Sequence, residues 1–133
     1  MVCKMLLFDF RETEHWFFEK NKLENFDITF YKNSLNEKTI AQLSDTELEN
    51  TTAISVYKFS KLTDKVLQCF KNLRVVTFRT NDFSHIDLKT CVERNIAVLN
   101  VETAETENEY TILNKSFKMV TEVLCGCRNN RII

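Results

Sequence analysis

Short apolar segments alternate with amphipathic segments along the whole chain. Four of the apolar segments have the length and residue types of buried strands, at residues 4–9, 53–57, 74–78 and 96–101, and residues 26–31 alternate apolar and polar side chains as a strand does. The segments between and after them favour helices, at residues 12–22, 37–43, 63–70, 86–95 and 108–124. Strands separated by helices pair in parallel, because each right-handed crossover lays a helix on one face of the sheet.

The strand segments are mostly continuous apolar runs, as a sheet covered on both faces requires. Five such strands predict an α/β fold of the flavodoxin-like type, a doubly wound parallel sheet with strand order 2-1-3-4-5 in a three-layer α/β/α arrangement. The sequence has no linker, repeat or low-complexity stretch, so we expect a single domain over residues 1–133.

Several residues predict how the helices begin and which faces they bury. Thr63 is a natural N-cap, and Ser84 can cap the helix near residue 86 with Asp87 in the reciprocal position. Trp16 and Phe17 are expected to face inward from the first helix. The last helix has apolar residues at helical spacing, namely Tyr110, Leu113, Phe117, Val120 and Leu124.

The charge balance argues against nucleic-acid and membrane partners. The chain has 18 basic and 19 acidic residues and a net charge of −1, so no strong field attracts a polyanion. No apolar run approaches the ~20 residues needed to cross a bilayer, and the first residues lack the pattern of a signal peptide. We therefore expect a cytoplasmic protein; its oligomeric state cannot be predicted from the sequence.

The chain has five cysteines, an odd number that favours free thiols in a chain without an export signal. Cys69 and Cys91 lie in helical patterns beside apolar residues and are predicted to be buried. Cys125 and Cys127 form a C-x-C pair, but no second Cys or His pair is placed to complete a zinc site. We expect no metal site, and a redox role for the C-x-C pair remains an alternative.

Glycine is nearly absent from the sequence. Gly126 is the single glycine, and there is no proline. A backbone that wraps closely around a phosphate needs glycines, because only glycine tolerates positive φ freely and leaves room for the ligand. With one glycine the sequence contains neither a G-x-G-x-x-G motif nor a P-loop. We therefore expect the chain to bind no cofactor, neither NAD nor ATP, at a site of those types.

From residue 52 onward, short motifs recur in a characteristic order. They are ISV at 54–56, KLT at 61–63, NL at 72–73, RTNDFSHIDL at 79–88, Cys91, and IAVLNV at 96–101. In this order the sequence resembles the D-lactate dehydrogenase branch of the D-isomer-specific 2-hydroxyacid dehydrogenases. The resemblance covers about residues 5–101 and is to the substrate-binding domain.

In that family the substrate domain is built from both ends of the chain, with the NAD-binding domain inserted between them. Residues 112–126 resemble the family's final helix, which implies that the cofactor domain is deleted here and the two halves of the substrate domain are fused. That helix should then pack on the sheet. In a rival alignment, residues 109–111 match the hinge helix that leads to the cofactor domain.

The resemblance also implies that the catalytic groups are missing. The family carries a substrate-binding arginine and a carboxylate in the cofactor domain, and its catalytic histidine aligns with Glu102 under the fusion alignment. The loop after the fourth strand, which binds the substrate carboxylate through backbone N–H groups, aligns with Asn81 and Asp82. Asp82 replaces a glycine and should repel a carboxylate. We therefore expect no catalytic residue in the chain.

Arg79 ends the fourth predicted strand, at the edge where open α/β sheets bind ligands. It is either an anion anchor in a crevice with Lys58 and Asn81, or one side of a surface salt bridge to Asp82 or Glu102. Taken together, the candidate ligand crevice consists of Tyr57, Lys58, Arg79, Asn81, Asp82 and Glu102.

Other candidates are better explained by structure. Asp9 ends the first strand, but the second acid and the strand-three aspartate of a phosphoacceptor site are absent. His85 matches a structural position of the family near a helix start. His15 is expected at the surface. The remaining Lys and Glu residues are expected on solvated helix faces.

These observations favour a stand-alone, catalytically inactive substrate domain that acts as a binding or interaction module. One alternative is a partial dehydrogenase that works with a separate NAD-binding subunit. Another is a sensor of small carboxylates that uses the crevice around Tyr57, Lys58, Arg79 and Asn81. The expected partner is therefore a small carboxylate or a protein.

Overall fold

The computed structural model describes residues 3–21, 23–80, 85–100 and 109–125, without the side chains of residues 109, 110 and 125. The strands are β1 Cys3–Leu7, β2 Phe26–Phe30, β3 Ala53–Val56, β4 Val75–Phe78 and β5 Ala97–Asn100. The α-helices are α1 His15–Lys20, α2 Asp45–Asn50, α3 Asp64–Gln68, α4 Leu88–Glu93 and α5 Glu109–Cys125, with 3-10 helices at Glu12–Glu14 and Thr39–Gln42.

The five strands form one all-parallel sheet in the order β2-β1-β3-β4-β5, which confirms the predicted fold. Successive strand residues point to opposite faces, so each strand contributes to two cores. The first core lies under α1 and α5 and includes Met5, Leu7, Phe17, Ala53, Val75, Leu99, Leu113, Phe117 and Val120. The second lies under α2, α3 and α4 and includes Leu6, Phe8, Ile54, Val56, Val66, Leu67, Phe70, Val76 and Phe78.

The predicted cap of α3 is confirmed, and that of α4 is wrong. The hydroxyl of Thr63 accepts a hydrogen bond from the N–H of Val66 at the start of α3. At α4 the cap is Asp87, whose carboxylate accepts from the N–H of Thr90 at 3.1 Å. Ser84 lies outside the described residues. Because α4 begins only after Asp87, Ser84 is three residues too early to be its N-cap.

The first two helices also differ from the prediction. The segment predicted as one helix is a 3-10 turn followed by the short α1, in which Phe17 is buried but Trp16 is 41% exposed. The predicted helix at 37–43 is only a short 3-10 helix. The α-helix of this crossover is α2, which begins with a reciprocal capping box between Ser44 and Glu47 that sequence analysis missed.

Helix α5 packs against β4 and β5 and does not project from the sheet. Leu113, Phe117 and Val120 are buried on its inner face, as their spacing predicts. The expectation that the last helix packs on the sheet is therefore confirmed. Its assignment to the family's final helix or to its hinge helix stays a prediction.

Cys69 and Cys91, both predicted to be buried thiols, differ in burial. Cys91 is buried, and burial together with the charge of Asp87 raises its pKa to about 11. Cys69 is only half-buried, with its thiol donating to the carbonyl of Lys65. Cys127 and the side chain of Cys125 lie outside the described residues.

Candidate functional site

Three strands end in polar residues at the same edge of the sheet. Asp9 follows β1, Tyr57 follows β3, and Arg79 follows β4. All strands are parallel, so these residues share the carboxyl edge, where doubly wound sheets bind ligands. This edge is the candidate functional site.

The side chain of Arg79 is completely buried beneath that edge. Its Nε donates to Oε2 of Glu14 at 2.7 Å, and its Nη2 donates to Oε1 at 3.1 Å. Its Nη1 donates to the hydroxyl of Ser55 at 3.0 Å. Nη2 also donates to the carbonyls of Phe8 and Asp9 at 2.9 and 3.1 Å. The guanidinium therefore joins β1, β3, β4 and the turn that carries Glu14.

The prediction that Arg79 forms a salt bridge at the surface is wrong, because its side chain is buried; its two predicted partners, Asp82 and Glu102, lie outside the described residues. The ion pair is buried and is made with Glu14, whose side chain is also completely buried. Two expectations fail here for one physical reason. The guanidinium of Arg79 lies under the edge, where it donates to the backbone carbonyls of Phe8 and Asp9. Glu14, expected on a solvated helix face, is buried beside it as the counter-charge.

The electrostatics of the pair follow from burial and proximity. Burial alone would raise the pKa of Glu14, but the charges and hydrogen bonds of Arg79 and Arg11 together outweigh burial, and the pKa of this carboxyl is lowered overall. Arg11 contributes to the same effect, because its Nη2 donates to Oε2 of Glu14 at 2.9 Å. Burial lowers the pKa of Arg79, which Glu14 partly offsets. The carboxylate of Glu14 thus forms hydrogen-bonded ion pairs with both Arg79 and Arg11.

Asp9 organises the loops above this pair. Its backbone has a φ of 58°, in the left-handed region that few non-glycine residues occupy. Its carboxylate accepts hydrogen bonds from the hydroxyl of Ser34 at 2.5 Å, the hydroxyl of Ser60 at 2.9 Å and the N–H of Tyr57 at 3.1 Å. A single buried side chain therefore connects the loops that follow β1, β2 and β3.

Tyr57 and Lys58 lie on the outer side of the site, among cations and aromatic rings. The guanidinium of Arg11 sits 3.9 Å from the centre of the Tyr57 ring. The ammonium of Lys58 lies 5.7 Å from the Tyr57 ring and 5.5 Å from that of Phe59, which is 60% exposed. Cation–π contact of this kind orders long cationic side chains over a ring. The result is an exposed cationic and aromatic surface.

The structure brings some of the predicted crevice residues together. Tyr57 and Arg79 both bind Asp9, one at its carboxylate and the other at its carbonyl. Lys58 stays outside with the aromatic rings. The other three predicted residues, Asn81, Asp82 and Glu102, lie outside the described residues.

The two histidines lie away from this arrangement. His15 is exposed on α1, with its Nε2 3.3 Å from Oε2 of Glu19. His85 is exposed, and its carbonyl accepts from the N–H of Leu62. Within residues 3–21, 23–80, 85–100 and 109–125, no group of three or more Cys, His, Asp or Glu side chains is placed to hold a metal ion. Nor is any helix of those residues long and apolar enough to span a membrane.

Comparison with solved structures returns dehydrogenases with the same fold. The D-lactate dehydrogenase of Aquifex aeolicus, solved with NAD and lactic acid, superposes with a TM-score of 0.64 at 22% identity over 89% of this chain and 33% of its own. The enzymes of Salmonella and Treponema pallidum superpose with TM-scores of 0.65 at 18% and 20% identity, each over 90% of this chain and 35% of the enzyme. The chain thus spans about one third of these enzymes.

Comparison with curated proteins gave no match. The family model of the D-isomer specific 2-hydroxyacid dehydrogenase, catalytic domain, matches residues 5–109. That match runs from β1 through β5 and includes every residue of the candidate site. The chain therefore belongs to the D-isomer-specific 2-hydroxyacid dehydrogenase family.

Proposed function

We propose that this chain is a binding or interaction module built on the substrate domain of the family and that it transfers no hydride by itself. The observation that carries the proposal is the state of Arg79. A cation at the end of β4 is suited to hold a substrate carboxylate, yet here its guanidinium is completely buried and bound by Glu14.

A carboxylate ligand would compete poorly with Glu14 for that guanidinium. Taking Glu14 away leaves a charge unpaired in the interior, at a cost of several kcal/mol. The neighbouring acid Asp9 lies 5% exposed at the same edge, so an incoming anion would also meet a carboxylate.

The sequence supports the same conclusion for the cofactor. The single glycine, Gly126, cannot form the glycine-rich turn on which the family holds the pyrophosphate of NAD. Under the fusion alignment the position of the catalytic histidine is Glu102, and a glutamate would not reproduce the role of an imidazole tuned near neutral pH. We propose that NAD enters only if a separate cofactor domain supplies its site.

An activity assay tests the proposal directly. We expect no oxidation of D-lactate or other D-2-hydroxy acids with NAD, and no oxidation of NADH with 2-oxo acids, at high concentrations of the pure protein. Turnover above a sample without protein, lost in a variant with changes at the carboxyl edge, would overturn it.

A small-carboxylate sensor is the second candidate, favoured by the exposed ammonium of Lys58 and the half-buried guanidinium of Arg11. Lys58 and Arg11 flank the Tyr57 ring, and the loop aligned with the family's carboxylate-binding loop, at Asn81 and Asp82, follows β4. A ligand that binds only the native state raises its melting temperature. A rise with a 2-oxo or 2-hydroxy acid that is lost in Lys58→Ala but kept in Lys61→Ala would favour the sensor.

A partial dehydrogenase is the third candidate, favoured by the intact fold of the substrate domain. Its partner would be a separate protein with the glycine-rich NAD site. Activity that appears only when such a subunit is added to the chain would support it. In each case we propose a cytoplasmic protein whose partner is a protein or a small carboxylate, and not a nucleic acid or a membrane.

A further inference from the structure

Strand β2 is an edge of the sheet. It pairs with β1 in one unbroken register from Phe26 to Phe30, and within the described residues no strand pairs with its other side. The chain has no proline to block such an edge. A continuous edge of this kind is a template on which another strand can pair.

The hydrogen bonds to β1 fix which backbone groups face outward. The N–H of Tyr31 donates to the carbonyl of Leu7, and the carbonyl of Asn25 accepts from the N–H of Cys3. Bonding direction alternates along a strand, so the odd-numbered residues of β2 bond to β1. The even-numbered residues Phe26, Ile28 and Phe30 therefore direct their N–H and C=O groups away from β1. The N–H of Phe26 donates to the carbonyl of Leu23 at 3.0 Å, so among the described residues the groups open to a further strand are the carbonyl of Phe26 and both backbone groups of Ile28 and Phe30.

The same three residues share a sheet face, because side-chain direction also alternates. Phe26 and Ile28 pack against the core under α5 and are half-buried. The ring of Phe30 lies 5.0 Å from that of Phe10 and 4.9 Å from that of Phe18, and Phe30 is 41% exposed. An incompletely covered aromatic cluster therefore lies beside open backbone groups.

We propose that β2 is a self-association edge, on which β2 of a second copy of this chain pairs antiparallel about a twofold axis at Ile28. In this register Ile28 lies opposite its own copy and exchanges two backbone hydrogen bonds with it. Phe30 lies opposite Phe26 of the second copy, with its N–H directed at that carbonyl. The exposed ring of Phe30 is then covered by the aromatic side chain across the axis. Such an interface is isologous and closes at two copies.

The charges beside the strand fit this register, because no like charges lie directly opposite one another. Asp27 lies opposite Thr29 of the second copy, and the ammonium of each Lys4 is 2.7 Å from the hydroxyl of Thr29 in its own chain. Within its own chain the carboxylate of Asp27 lies 3.8 Å from the ammonium of Lys4. In the dimer this carboxylate also lies near the ammonium of Lys4 of the second copy. Two residues past each strand end, the register brings Glu24 toward Lys32 of the second copy.

Analytical ultracentrifugation over a wide range of concentrations tests the association. We expect the wild type to form a reversible dimer. Phe30→Lys should raise the dissociation constant of this dimer by at least about tenfold, or 1.4 kcal/mol. The matched control is Phe59→Lys, an exposed aromatic at 60% outside β2, which should dimerise as the wild type does. A wild type that stays monomeric, or a Phe30→Lys variant that dimerises equally well, would overturn the proposal.

Cysteine cross-linking tests the register. Directly opposed residues that exchange hydrogen bonds have Cα atoms about 5.5 Å apart, a distance that a disulfide spans. Ile28→Cys should therefore form a disulfide-linked dimer under mild oxidation, above the background set by the wild-type thiols. Asp27→Cys, opposite Thr29, should not. Circular dichroism verifies the fold of each variant. Cross-linking at 27 and not at 28 would contradict the twofold register.

Discussion

Arg79 and Glu14 form a bidentate ion pair with both side chains completely buried, although 65 residues of chain separate them. The pair fixes the turn after β1 to the end of β4. Removal of one partner strands the charge of the other in the interior, so the pair contributes more to stability than an exposed salt bridge can.

Glu14→Gln should lower the free energy of unfolding by about 3–5 kcal/mol, because it removes the carboxylate that is paired with the buried guanidinium of Arg79. Chemical denaturation measures the change. Glu12→Gln is the matched control, since that side chain is exposed, and it should have little effect. The double variant Glu14→Leu/Arg79→Met should recover much of the loss. A Glu14→Gln variant as stable as the wild type would contradict the buried pair.

The pair also predicts how stability depends on pH. The pKa of Glu14 is lower in the folded than in the unfolded chain, so its contribution is fully present above the ordinary glutamate range. It is lost as pH falls through that range and through the lowered folded pKa. Unfolding measured from neutral to acidic pH should show this acid-side loss. In Glu14→Gln the loss should be smaller, and equal slopes in the two proteins would exclude Glu14 as its source.

The first helix gives a test of the inward and outward faces. Phe17 is 1% exposed and stacks on Phe117 of α5, with ring centres 6.1 Å apart. Phe17→Ala should cost about 3–5 kcal/mol, since it removes a large buried ring. Trp16→Ala, on the exposed side of the same helix, should cost far less. Equal losses for the two variants by thermal or chemical unfolding would mean that the burial assigned to Phe17 is wrong.

Helix α4 ends at Glu93, and the chain leaves it through a left-handed turn at Asn95, whose φ is 57°. The N–H of Asn95 donates to the carbonyl of Val92, and the N–H of Ile96 donates to that of Cys91, which is the Schellman arrangement. Glycine adopts this conformation without strain, so Asn95→Gly should be neutral or slightly stabilising. Asn95→Val should lose about 1–2 kcal/mol. Melting temperatures of the two variants in the same buffer distinguish them.

The fold could be predicted because its signals are local. Most strands are short apolar runs, β2 alternates apolar and polar residues, and the parallel order follows from the helices between the strands. The start of α3 at Thr63 is equally local. The errors fall where two local signals compete, as at α2, where the cap at Ser44 overrides the apolar residues just before it.

The centre of the site could not be predicted from local pattern. Glu12 and Glu14 look alike in a polar segment, yet the first is exposed and the second is completely buried. Which of them goes inside is decided by Arg79, and no periodicity connects the two positions. Asp9 was considered only as a phosphoacceptor, because its hydrogen bonds to Ser34 and Ser60 depend on how three loops meet.

The parallel sheet has a consequence for how the chain reaches its folded state. Residues that pair in the sheet are far apart in the chain: Cys3 of β1 pairs with Phe26 of β2, and Ala53 of β3 pairs with Val75 of β4. None of these pairings can therefore begin as a local hairpin. Each pair of strands can form its hydrogen bonds only after the whole crossover segment between them has closed into a loop. The chain therefore loses the conformational entropy of loop closure before it gains the contacts of the sheet. The chain should therefore fold more slowly than a helical bundle of the same length.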